Sequence, residues 1–423
     1  MPRNIAEFFK DYYKHLRMFS RNAVLFLVGT LLINLLYAVN MLIFNLYLRE
    51  MGFSESFVGK ALSAGAIGSM IAAIPWAILI ARYKIKNMLL ISTLLFVASY
   101  FFMVTTSAGL LIVLFSFLMG CLLSFARVAS APLIMRNSTH EERTYVFSLN
   151  FANWMFAGII GSFMAGYAQK WFEGVFGAGA LSYRYVLISG IFFGLLALIP
   201  FAFIKGKPPS ESERKLVLSR KLLKEHGNLL FRLSFPFFLV GAGAGLIIPF
   251  LNLYFRDVFH MSTERIGLYY SMVQATMIVG TLAGPVLARR FGMVRTIVFT
   301  EVASIPFMLL MAFSGNVPLV IAGFLCRGAL MNMGQPIGTN FAMEMVPERM
   351  HGLTNSITMI AWTSSWAVST QLGGWVIEQY GYQPSFLITI GFYLSSAILY
   401  YYFFSKTEIK ERHGYRLQVL ERS

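Results

Sequence analysis

Asn45-Leu46-Tyr47-Leu48-Arg49-Glu50 closes one long apolar run, and Asn252-Leu253-Tyr254-Phe255-Arg256-Asp257 closes another 207 residues later. The echo continues on both sides of these hexapeptides. Ser54 and Gly59 return as Ser262 and Gly267 at an offset of 208, and Arg82-Tyr83 returns as Arg290-Phe291. Trp154 matches Trp362 and Gly166 matches Gly374 at the same offset. A near-constant offset at separate places makes the chain a parallel tandem repeat, with the polar stretch 205–228 joining the copies.

The composition says where such a chain lives. Of 423 residues, 57% are hydrophobic and 13% charged, with a mean hydropathy of +0.65. A water-soluble domain carries about 25% charged residues. A chain this poor in charge cannot cover its own surface in water, which excludes a soluble enzyme, a nucleic-acid binder and a disordered scaffold. A bilayer core needs roughly 20 apolar residues per helix. Twelve runs meet that need: 22–48, 57–80, 88–106, 109–133, 146–169, 183–204, 229–255, 265–288, 296–314, 317–344, 354–377 and 384–405. The expected fold is therefore an all-α integral membrane protein of twelve transmembrane helices in two pseudosymmetric six-helix bundles. The segments are an amphipathic cytoplasmic stretch at 1–21, bundles at 22–204 and 229–405, the linker at 205–228 and a tail at 406–423.

Lys and Arg orient these spans. Twenty-seven of the 35 fall on the side that holds the N-terminus and six on the other, with Arg127 and Arg327 inside spans. Cytoplasmic loops carry the excess of Lys and Arg, so both termini are expected in the cytoplasm, here of a bacterial plasma membrane. The same distribution accounts for the net charge of +16 without nucleic acid. Cys121 and Cys326 both lie in apolar runs and give neither a disulfide framework nor a metal-ligand spacing. No phosphate-binding Gly-rich loop followed by Lys is present, so ATP is not expected as driver. No metal or other cofactor is expected.

Leu287-Ala288-Arg289-Arg290-Phe291-Gly292 resembles the cytoplasmic loop signature Leu-Ala-Asp-Arg-x-Gly of the major facilitator superfamily. Ile80-Ala81-Arg82-Tyr83-Lys84 is a degenerate copy after span two. The resemblance covers nearly the whole chain. It extends to Val346-Pro347-Glu348-Arg349 after span ten and to Gly373-Gly374 with Tyr380-Gly381-Tyr382 around the end of span eleven. Both loop copies depart at the acidic position, held by Arg289 and Ala81, so the carboxylate that would latch the cytoplasmic gate is absent twice. The resemblance implies a secondary transporter that acts as a monomer among membrane lipids, with a small-molecule site between its halves. It also implies that spans one, four, seven and ten line the cavity. Spans two and eleven, and five and eight, would meet across the halves. Drug antiporters of the superfamily carry a Gly-Pro pair in span five; here Gly161 is followed by Ser162.

Ionisable residues inside a bilayer are costly, so each is a functional candidate. Arg327 lies in the outer half of span ten. Arg127 lies in span four, and the repeat pairs it with Gln335. Arg327, Met331 and Gln335 fall on one helical stripe. A guanidinium binds carboxylate or phosphate through two parallel hydrogen bonds, so these arginines point to an anionic or amphipathic organic solute. Asn34 and Asn40 of span one would add neutral hydrogen bonds, with Tyr37 and Met41 at the spacing of Asn34. Arg127 near the cytoplasm could instead snorkel or bond helix-end carbonyls.

The expected gating residues are Arg82, Arg289, Arg290, Glu301 and Glu344 at the cytoplasmic ends. Gly280 and Gly373 join them from the small-residue ladders of spans eight and eleven. Small residues every four positions let membrane helices approach closely. Two alternatives stand beside solute transport: efflux of hydrophobic drugs, and a non-transporting receptor or assembly factor on the same scaffold.

Overall fold

The computed structural model describes residues 19–80, 82–206, 220–347 and 350–420, leaving aside the side chains of 140, 141, 144, 220–225 and 407–420. The expected amphipathic stretch, most of the linker, Glu348, Arg349 and the end of the tail lie outside the described residues. Every regular element among them is helical. Spans one to six are helices Arg21–Glu50, Glu55–Ile80, Ile85–Thr105, Gly109–Asn137, His140–Phe176 and Ala180–Phe203. Span seven runs over Arg220–Ile247, a 3-10 turn at Ile248–Phe250 and Leu251–Phe259. Spans eight to twelve are Thr263–Phe291, Met293–Phe313, Val317–Glu344, His351–Tyr380 and Tyr382–Leu420.

Eleven helices among the described residues are long and apolar enough to cross a membrane on length and hydropathy alone. The twelfth, His351–Tyr380, is 30 residues long but rich in Ser and Thr. Several of its hydroxyls bond within the helix: Thr358 Oγ1 donates to the Thr354 carbonyl at 3.1 Å and Thr370 Oγ1 to that of Trp366 at 2.8 Å, whereas Thr354 Oγ1 is buried without a partner among the described residues. A hydroxyl that bonds its own preceding turn adds no unsatisfied group in lipid, so a polar composition still makes a membrane helix.

Local chemistry sets the helix ends. Thr139 and Glu142 form a reciprocal capping box at the start of span five, with the Thr139 N–H donating to Glu142 Oε1 at 2.8 Å. Gly292, at φ 95°, lets span eight stop and span nine start within one residue, a turn that a residue with a Cβ resists. The break in span seven follows Pro249, which has no N–H to continue the helical ladder. Its repeat mate Leu42 has one, and span one runs unbroken through it.

The repeat survives as repeated bonds. Tyr47 Oη donates to the Val104 carbonyl at 2.7 Å, tying span one to span three. Tyr254 Oη donates to the Met311 carbonyl, tying span seven to span nine with both partners displaced by 207. The chain folds as two units, and each takes in one short helix end from the other half of the sequence. The first holds residues up to Phe53, from Ala64 into the linker, and Ser262–Ser271. The second holds Ser54–Ser63, the chain from the linker to Met261, and the chain from Met272 onward.

In the first unit span one is the central helix and lies against spans five and six. Phe26 meets Phe201 with ring centroids 6.4 Å apart, and a Cβ on Gly161 would sit 2.6 Å from that of Ala38. In the second unit span seven plays that part against spans eleven and twelve. A Cβ on Gly241 would lie 2.5 Å from the Trp362 carbonyl, and one on Gly245 2.7 Å from that of Trp366. Lipid offers no hydrophobic drive between helices, so this close backbone packing is what holds each bundle. At the linker end of the second unit, Leu230, Leu233, Val294, Ile297, Ile337, Phe341, Tyr400 and Phe404 form one buried cluster.

Candidate functional site

In the first unit, helical spacing sets Asn34, Tyr37 and Met41 along one stripe of span one, and none of the three is buried. Arg127 of span four is exposed and holds its guanidinium over the Tyr37 ring, 5.7 Å from the centroid. A cation over an aromatic face is attracted to the ring quadrupole, which orients the guanidinium while leaving its N–H groups free for another acceptor. These four side chains give the first unit a polar, positively charged patch on a helix pair.

Asn40, expected beside them, is 3% exposed and sits inside the unit, its Oδ1 without a hydrogen-bond partner among the described residues. One residue from Met41 is about 100° around a helix, enough to turn Asn40 from the patch into the bundle.

In the second unit, Gln335 of span ten is exposed and Met331 partly so. Arg327, expected with them as a solute residue, is placed differently. It is 8% exposed, donates from Nη2 to Tyr393 Oη at 2.7 Å and lies 5.9 Å from the Tyr393 ring centroid. Its Nε is buried without a hydrogen-bond partner among the described residues. Arg327 therefore braces span ten against span twelve. Trp362 and Trp366 of span eleven stack with centroids 5.0 Å apart and are half-buried.

The expected gating residues separate into groups. Arg82, Arg289, Arg290 and Glu344 are exposed at helix ends. Glu344 Oε1 accepts from Asn340 Nδ2 at 2.8 Å, and the Arg290 guanidinium lies over the Phe291 ring at 5.3 Å. Glu301 is 7% exposed, accepts from Ser396 Oγ at 3.2 Å, and leaves Oε2 without a partner among the described residues. It is an interior group of the second unit, bonded to span twelve. Gly280 and Gly373 lie against helices of the second unit. A Cβ on Gly280 would lie 2.3 Å from the Ala329 carbonyl, and one on Gly373 2.3 Å from that of Leu246. Both glycines serve packing inside the second unit.

Other glycines take the close approach at the exchanged helix ends. In the first unit a Cβ on Gly267 would lie 2.5 Å from the Ser162 carbonyl, and one on Gly166 2.9 Å from that of Thr263. Beside them Lys170 Nζ pairs with Glu264 Oε2 at 2.6 Å, and the Tyr183 and Thr263 hydroxyls bond at 2.8 Å. In the second unit a Cβ on Gly59 would lie 2.7 Å from the Thr370 carbonyl, and one on Gly374 2.3 Å from that of Glu55. There the Ser56 N–H donates to Glu378 Oε2 at 3.0 Å. The two latches are repeat images: adding 208 takes Gly59 to Gly267, Ser162 to Thr370, Gly166 to Gly374, Ser56 to Glu264 and Lys170 to Glu378.

The sequence profile of the Major Facilitator Superfamily matches residues 25–370 and 302–418, nearly the whole chain. The chain belongs to the major facilitator superfamily. It is accordingly a multi-pass membrane protein of the secondary-transport class, not an enzyme, and the family moves small solutes without ATP or nucleic acid. Solved superfamily-like structures carry the same fold. A crystal structure of the nucleoside transporter NupG superimposes with a TM-score of 0.72 at 13% identity, over 89% of this chain and 98% of that one. A bacterial homolog of the human lysosomal transporter Spinster, inward-facing and occupied, gives 0.74 at 12% identity over 94% and 97%. A D-xylose-proton symporter gives 0.67 at 17% identity over 90% and 97%. Among curated protein sequences none matches. At these identities the likeness is one of fold.

Membership explains the repeat, but several functional partners were not legible from it. Tyr393, which takes Arg327, lies 66 residues away on another helix, and nothing in the sequence marks the pair. Lys170 enters the sequence reading only as one of the six outer-side basic residues, and Glu264 not at all. The offset that pairs Lys170 with Glu378 and Ser56 with Glu264 was the signal that could have singled them out.

Proposed function

We propose that this protein moves a small organic solute, anionic or with an anionic head, across the membrane by alternating access of its two halves, as a monomer and without ATP. The observation that carries the reading is Arg127: an exposed guanidinium in a span, oriented over Tyr37 and flanked by Asn34 and Met41. Such a charge inside a bilayer is costly unless it meets water or an anion. Its repeat mate Gln335, exposed on span ten with Met331 nearby, supplies a neutral hydrogen-bonding counterpart. The two latches of Gly166, Gly267, Lys170 and Glu264, and of Gly59, Gly374, Ser56 and Glu378, fit the outer gates of such a cycle. Their small residues allow close approach, and their polar pairs can be broken and remade in water.

The charge asymmetry supports cytoplasmic termini and a bacterial plasma membrane. Arg82, Arg289, Arg290 and Glu344 are the proposed inner-gate residues. The test is flux into liposomes that hold the purified protein, with labelled carboxylates, organic phosphates and cationic dyes offered in turn. Flux of an anion that Arg127→Gln abolishes supports the proposal. Flux of dyes indifferent to that change would replace it by drug efflux, and no flux of any class would favour a receptor.

A further inference from the structure

The second unit carries a groove of about 690 Å³ on its outer wall, between spans seven, nine and twelve. At one end lie Arg232, Ser405 and Lys406, with Tyr401 and Tyr402 beside them. Val298, Val302, Leu394 and Ile398 line the rest. Among the described lining residues none is acidic. Arg232 is held with its guanidinium 5.7 Å from the centroid of the Phe403 ring, so its charge stays at the groove mouth. The apolar track is open to its surroundings: Val302 is 44% exposed and Ile398 65%.

The groove has a direction. Lys406 and Arg232 sit at the linker end of the unit, and Leu394 is twelve residues back along span twelve, about 18 Å at 1.5 Å per residue. One leaflet of a bilayer core is about 15 Å deep. A cationic mouth at the interface with an apolar track one leaflet long has the polarity of a single phospholipid. Bulk acyl chains would fill the track alone, and Lys and Arg on this side also orient the chain; here two of them converge on the mouth of one apolar groove. Basic pockets between membrane helices on the cytoplasmic side take anionic headgroups, and Arg suits a phosphodiester because two N–H groups can meet two oxygens.

We infer that this groove is a binding site for one anionic glycerophospholipid of the linker-side leaflet. Arg232 and Lys406 hold the phosphodiester, Tyr401, Tyr402 and Ser405 offer hydroxyls to the headgroup, and one acyl chain lies along Val298, Val302, Leu394 and Ile398. The site lies wholly within the second unit, apart from the proposed solute residues, so it stands or falls independently of what the protein transports.

Native mass spectrometry of the full chain in detergent with added phosphatidylglycerol reads the site directly. Wild type should retain one more phosphatidylglycerol than Arg232→Gln/Lys406→Gln, and the half-saturating concentration should rise at least about tenfold in the double variant. Lys84→Gln, a basic change at the linker-side end of the first unit, should leave retention unchanged. Ile398→Trp fills the track while keeping both charges, at a position exposed enough to spare folding, and should also release the lipid. Four results would overturn the inference: equal retention by the double variant, equal retention by Ile398→Trp, equal binding of phosphatidylcholine, or saturation by glycerol phosphate at the same concentration. The last would make it a free-phosphate site.

Discussion

The two arginines inside the spans differ in burial and in partners. Arg327 is buried, bonded to Tyr393 and lodged against its ring, and it forms an internal strut of the second unit. A hydrogen bond to a charged group contributes about 1.5–3 kcal/mol, and losing one partner leaves the other buried and unsatisfied. Arg327→Gln and Tyr393→Phe should therefore each lower thermal stability, and the double variant should cost less than the sum of the two. Solute affinity per folded molecule should be spared. Thermal unfolding of the three variants in one detergent reads the coupling; additive losses would mean that the bond contributes nothing.

Arg127 is exposed and should show the reverse pattern. Arg127→Gln should keep its melting temperature and lose about ten- to a hundredfold in solute affinity, since 1.4 kcal/mol is one decade. Arg127→Lys should recover only part of it, because an ammonium cannot reproduce two parallel hydrogen bonds. Periodicity could not separate the two roles. Arg327, Met331 and Gln335 recur every four residues, but each step drifts about 40° around a 3.6-residue helix. Arg327 thus ends about 80° from Gln335, enough for one to face span twelve and the other to be exposed.

At the scale of the helix, small residues that look alike in sequence divide by what they touch. Gly280 and Gly373 meet backbone carbonyls of their own bundle, so Gly280→Leu or Gly373→Leu should lower the yield of folded protein. Normal yield and monodispersity of either variant would contradict this. The latch residues should act on conformation instead. Lys170→Ala removes the ion pair that ties Glu264 to the first unit, and Glu378→Gln weakens the acceptor that holds the Ser56 N–H. Each should raise the labelling rate of a cysteine placed at Ser262 or Ser54, applied from the side opposite the linker, with little change in folded yield. Unchanged labelling in both would remove the latches from the account. The ladders were visible as four-residue spacings, but a spacing gives no azimuth. Choosing Gly166 and Gly267 over Gly280 needed the neighbours in space.

For the molecule as a whole, much of the architecture was written in the chain. The offset of 207–208 reappears as the Tyr47 and Tyr254 bonds to carbonyls of spans three and nine. The low charge and twelve runs led to the twelve helices, including His351–Tyr380, several of whose hydroxyls bond its own backbone. The exchange of Ser54–Ser63 and Ser262–Ser271 between units was not legible, because it depends on which bundle each helix end touches. Side-chain partners such as Tyr393 for Arg327 and Ser396 for Glu301 were hidden for the same reason: they lie 66 and 95 residues away, beyond any local pattern.

The central claim is ATP-independent movement of an anionic solute that depends on Arg127. Its most direct test is counterflow in liposomes, comparing wild type with Arg127→Gln at matched melting temperature over labelled carboxylates, organic phosphates and cationic dyes. The account predicts that at least one anion is carried by wild type and that its rate at low concentration falls tenfold or more in the variant. An anion carried equally by both proteins, or transport confined to dyes, would contradict it.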